Sequence, residues 1–130
     1  MMLAALTLIL AQAAAPAATA PSEDAIAEQV VEINRTLDKW KGGVYKKDDG
    51  KLTCRVEQSS GDQAVDLLRC GAMVGCYTPR VAELDAIAGA DAPEADRRKQ
   101  MQDIMDEVQP CIEDAHQLGV RRIATVRAAK

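Results

Sequence analysis

Four cysteines, Cys54, Cys70, Cys76 and Cys111, constrain this chain more than any other feature. Whether they act as staples, metal ligands or a redox pair depends first on the compartment in which the chain folds. The N-terminus addresses that point. Leu3 to Ala15 is apolar apart from Thr7 and Gln12. The run falls short of the ~20 residues needed to cross a bilayer. Ala11-Gln12-Ala13 has the small-x-small pattern that precedes a signal-peptidase cut. Ala18-Thr19-Ala20 has it too, but Pro21 follows, and no Lys or Arg precedes the apolar run. The sequence therefore predicts a signal peptide over 1–13, an Ala/Pro-rich disordered leader over 14–21 and a single domain over 22–130. It also predicts a periplasmic or secreted protein with no transmembrane anchor after cleavage.

In an oxidising compartment four cysteines are read first as two disulfides. On a continuous helix Cys70 and Cys76 would stand about 9 Å apart along the axis and on different faces. A disulfide spans at most ~7 Å between Cα atoms. Each must then pair elsewhere. Cys54 falls on the inward side of an expected strand, on which the helix carrying Cys70 packs back. Cys76 and Cys111 flank an antiparallel turn near Gly89 to Pro93. The expected pairs are Cys54–Cys70 and Cys76–Cys111. The alternative is a thiol-redox or metal-handling protein using Cys70 and Cys76. The spacing provides neither C-x-x-C nor the close ligand pairs of a zinc site.

The staples suit the composition. With no Phe, one Trp and two Tyr in 130 residues, the core must be built from Leu, Ile, Val, Met and Ala. Small domains with thin cores commonly need covalent support. The net charge of −4 argues against nonspecific binding to nucleic acid or anionic membrane.

Periodicity gives an α+β fold. Ser22 can cap a helix whose apolar positions are Ile26, Val30, Ile33, Leu37 and Trp40, with Gly42-Gly43 ending it. The β-branched run around 29–36 leaves a strand open as an alternative there. Val44–Lys47 and Lys51–Glu57 flank Asp48-Asp49-Gly50 as a hairpin, with Leu52, Cys54 and Val56 facing inward. About three helices follow. The first starts at Asp62 or Ser60, with Val65, Leu68 and Ala72 inward. The second has Thr78 and Pro79 at its start and Gly89 at its end. The third is introduced by a capping pair of Asp91 and Glu94. Its apolar beat runs Met101, Ile104, Val108, Cys111, Ala115, Leu118 and passes through Pro110, which predicts a kink or two abutting helices.

Candidate functional groups are few. His116, the sole histidine, reads as a surface helix residue, too far around the helix from Cys111 to form a nucleophile pair. Eight acids between Glu83 and Glu107 read as a solvated face; no calcium-loop pattern is present. Met73, Met101 and Met105 read as core filler rather than copper ligands. Trp40, Tyr45, Lys46 and Lys47 lie in a basic stretch and form the candidate interaction surface, although Trp40 also falls on the apolar stripe.

Trp40-Lys41-Gly42, the hairpin ending at Cys54, Ser60-Gly61-Asp62, Cys70-Gly-Ala-Met73, Cys76 and Pro110-Cys111 together mark a pattern over most of the chain beyond residue 30. The combination resembles small exported four-cysteine proteins of alphaproteobacterial type. The resemblance implies a shared scaffold and compartment and carries over no catalytic residue. The expectation is a non-catalytic exported interaction module, without cofactor or bound metal and not an enzyme. Its partner would be a protein or envelope component, with an inhibitor of a secreted hydrolase as one form and nucleic acid excluded.

Overall fold

The computed structural model describes residues 20–130. The expected signal peptide (1–13) and all but the last two residues of the leader (14–21) lie outside the described residues. The fold is α+β. Helix α1 (Glu23–Thr36) leads through a 3-10 turn (Leu37–Lys39) into strand β1 (Lys41–Lys46), which pairs antiparallel with β2 (Leu52–Gln58). Helix α2 (Gln63–Tyr77), a second 3-10 turn (Thr78–Arg80), α3 (Val81–Ala88) and a 35-residue α4 (Glu94–Ala128) complete it.

Local chemistry explains most boundaries. The Ser22 hydroxyl accepts from the Ala25 amide and starts α1, with Glu23 and Asp24 in its first turn. The open question over 29–36 resolves to helix. That helix stops earlier than the glycines suggest: Gly42-Gly43 are strand residues, and Trp40 is extended rather than helical. The hairpin turns at Gly50, whose φ of 82° favours glycine, while Asp49 Oδ1 accepts from the Lys51 amide. Cys54 lies opposite Val44 in the ladder, and both face the helices, as does Leu52. Val56 does not follow the alternation inward; it is 39% exposed at the far end of the strand.

Asp62 caps α2 through the Ala64 and Val65 amides. The second 3-10 turn replaces the expected cap at Thr78: the Thr78 hydroxyl donates backwards to the Val74 carbonyl, and α3 starts only at Val81. Gly89 closes α3 as expected. The capping pair of Asp91 and Glu94 does not form; Pro93 is the cap position, and Glu94 pairs with Arg98 one turn on.

α4 is one helix through Pro110, about 52 Å long at 1.5 Å per residue. Its buried residues are Ile104, Val108, Ile112, His116, Val120 and Ala124. Each step of four residues turns about 40° beyond a full revolution, so the buried line winds around the helix. The cause is a change of partner. Ile104, Val108 and Ile112 pack with Ala72, Cys76 and Tyr77, joined by Val44, Leu52, Leu84 and Ile87. Val120 and Ala124 pack with Ile26, Ile33 and Val65. A single straight stripe therefore fails beyond Ala115, which still packs against the first cluster. Leu118, expected inward, is 54% exposed, and His116, expected on the surface, is fully buried.

Candidate functional site

Both expected disulfides are present. Cys54–Cys70 ties β2 to α2, and Cys76–Cys111 ties α2 to α4. No cysteine is free. Cys70 and Cys76 sit on one continuous helix and belong to different bonds, so nothing favours a dithiol site there. Among the described residues no group of three or more His, Cys, Asp or Glu is placed to hold a metal ion. No helix among them is long and apolar enough to cross a membrane. Two disulfides fit an oxidising compartment.

The acidic stretch is largely tied up in ion pairs. Arg80 bridges Glu83 and Glu107 at 2.7 Å each, Lys46 reaches Asp85, and Lys99 reaches Asp103. The four residues of the expected interaction surface separate. The Arg69 guanidinium lies 6.0 Å from the half-buried Trp40 ring. Lys46 points to α3 through Asp85. Tyr45 lies on the opposite side of the strand from Val44, 46% exposed, with Arg55 at 5.5 Å from its ring. Lys47 stands at the turn, 3.8 Å from Asp49.

His116 has neither ring nitrogen hydrogen-bonded. Burial lowers its pKa below the ordinary value, Arg69 lowers it further, and Glu113 opposes them. A fully buried imidazole, with neither nitrogen open to solvent or substrate, is poorly suited to acid–base catalysis.

Among the concavities of the described residues, two have a largely apolar lining. One, of about 520 Å³, runs between β2 and α2. Its strand wall is Leu52 to Cys54 with Val56; its helix wall includes Leu67, Gly71 and Val74, and the Cys54–Cys70 bond joins the two walls. No residue of β1 lines it, which places it at the outer edge of the sheet. Among the described residues the sheet has two strands, so the backbone groups on that edge of β2 have no ladder partner. Leu67, 67% exposed, stands beside it. The sequence reading missed this groove, although the signal was available: a single hairpin necessarily leaves strand edges, and Leu67, Gly71 and Val74 fall off the inward face set by Val65, Leu68 and Ala72.

The second concavity, about 340 Å³, lies where β1, α2, α3 and α4 meet. Val44, Tyr77 and Leu84 line it together with Met73, Met101 and Met105. Met105 is 46% exposed, so the reading of all three methionines as core filler does not hold for it. No family model matches the chain, and neither a curated protein nor a solved structure matches it.

Proposed function

We propose that this chain is a non-catalytic interaction module of the periplasm or extracellular space, taking an extended segment of a partner protein along the outer edge of β2. The observation that carries this reading is the unpaired strand edge facing Leu67, Gly71 and Val74 of α2, with Gln63 and Asp66 at the helix's N-terminal end. Added strands bind through main-chain hydrogen bonds and gain specificity from alternate side-chain pockets. Leu52, Val56, Leu67 and Val74 supply apolar surface for such side chains, and Gly71 leaves room for one. The disulfide between β2 and α2 holds the two walls at fixed spacing without the partner, which reduces the ordering cost of binding. Natural edge strands are usually blunted by proline, bulges or cover; this one has no proline, and its one bulge, where Glu57 is the extra residue between Val56 and Gln58, falls at its last residues, beyond the stretch that lines the groove.

A displayed-peptide selection against the oxidised protein tests the reading. The expected ligands are extended segments with alternating apolar residues. Their binding should slow amide exchange on the outer edge of β2 and be lost in Leu67→Glu. Selected peptides that leave β2 exchange unchanged, or that bind Leu67→Glu as well as the parent, would refute it.

A further inference from the structure

We propose that Met73, Met101 and Met105 form a thioether site for a soft monovalent cation, Cu(I). All three methionines of the described residues line one concavity, remote in kind from the β2 edge and independent of the function proposed for it. Met101 and Met105 are four apart on α4 and share a helix face; Met73 reaches the same space from α2. Packing does not account for the whole set. Ile104 and Val108 already supply the buried contacts of this stretch of α4, and Met105 is 46% exposed at the mouth. Met105 thus stands where solvent meets the concavity.

The donor chemistry selects the ion. Thioethers are soft, uncharged ligands that favour Cu(I) over hard divalent cations. They need no deprotonation, so they remain competent donors where all four thiols are consumed in disulfides. The cluster of carboxylates or imidazoles that a hard or borderline ion requires is absent among the described residues. An uncharged sulfur set suits an ion of low charge. Three unbranched side chains, each with several rotatable bonds, line the one concavity and can adjust toward a shared ion.

The test uses the oxidised full chain with Ag(I), a redox-inert stand-in, and then Cu(I) in competition with a chromophoric chelator. Intact mass confirms that both disulfides survive. One equivalent of either ion is expected, with shifts of the Met73, Met101 and Met105 methyl resonances. In Met73→Leu, Met101→Leu and Met105→Leu combined, metal binding should be lost while the apolar concavity persists, since Met-to-Leu exchange preserves volume. No binding, shifts confined to other methyls, or undiminished binding by the triple variant would overturn the site. The methyl shifts in the parent protein decide the matter even if the triple variant folds poorly.

Discussion

A fully buried histidine with two unpartnered nitrogens is a costly residue to keep. An unsatisfied buried polar group costs about 1–3 kcal/mol, and His116 has its ring closed off between two apolar clusters. Its pKa is lowered by burial first and by Arg69 second, against Glu113. The folded protein thus resists protonating a group that the unfolded chain protonates near pH 6.5. Its contribution is fully present above that pH and is lost as pH falls from about 6.5 toward the folded value, with a slope of at most about 1.4 kcal/mol per unit. His116→Leu should raise stability at pH 7 and flatten the profile as pH falls below about 6.5, a region that opens above the ordinary carboxylate range. Urea melts at several pH values read this directly; an unchanged slope would assign the acid sensitivity elsewhere. Gly42 is the second residue whose identity is set by its surroundings. A Cβ there would lie 2.6 Å from both the Arg55 carbonyl oxygen and the Trp40 ring. Gly42→Ala should cost about 1–3 kcal/mol by overpacking and displace the indole, which, as the sole tryptophan, reports the change in its emission.

At the scale of elements, the polar contact between the start of α2 and the end of α4 runs through one carboxylate, beside the packing of Val65 on Val120 and Ala124. Asp62 caps α2 and also receives both terminal nitrogens of Arg127, at 2.6 and 3.0 Å. The Arg127 hydrogen bonds hold its pKa below the ordinary value, so this contribution is present above pH 3.8 and is lost as pH falls through the folded value. Asp62→Ala removes cap and pair together and should cost about 2 kcal/mol, the cap alone being worth about 1. Asp62→Asn keeps an acceptor for the cap and should cost less; equal losses in chemical denaturation would mean that the cap contributes nothing. Arg127 shows how much of the fold was legible. Its position in a basic helix end pointed only to the dipole, because a partner 65 residues away leaves no local trace. By contrast, Ser22, Asp62, the turn at Gly50 and both disulfides could be read from neighbouring residues and simple reach. Trp40 could not: its spacing matched a helix that had already ended at Thr36, and only the strand pairing of Lys41 onward explains why. His116 was misplaced for the same kind of reason, since periodicity assumes one partner per helix and α4 has two. The β2 edge was implied by a lone hairpin, but which helix stands beside it depends on the return of α2.

Considered as a whole molecule, the chain is stapled at one end only. Both disulfides join elements around the cluster of Ala72, Cys76, Tyr77 and Ile104. The other cluster, where α1 meets Val65, Val120 and Ala124, has no covalent link. α1 is held there by Ile26 and Ile33, by partly buried Val30, and by Glu23 to Arg121 at 2.9 Å, an exposed pair worth little. Cooperative opening should therefore divide along this line. With the disulfides intact, α1 amides should exchange by a sub-global opening at lower free energy than the middle of α2 and α4. The loop-entropy estimate assigns about 3 kcal/mol to Cys54–Cys70 and about 4 to Cys76–Cys111. For a core without phenylalanine these are large fractions of the total stability. Reduction should thus abolish the division rather than merely lower it: with the staples gone, the hairpin end loses its advantage and the domain unfolds as a unit. Hydrogen exchange on oxidised protein and on a variant with all four cysteines replaced by alanine separates these outcomes. Uniform protection across α1, α2 and α4 in the oxidised protein would show that the two clusters form one cooperative core, with His116 joining them rather than marking their boundary.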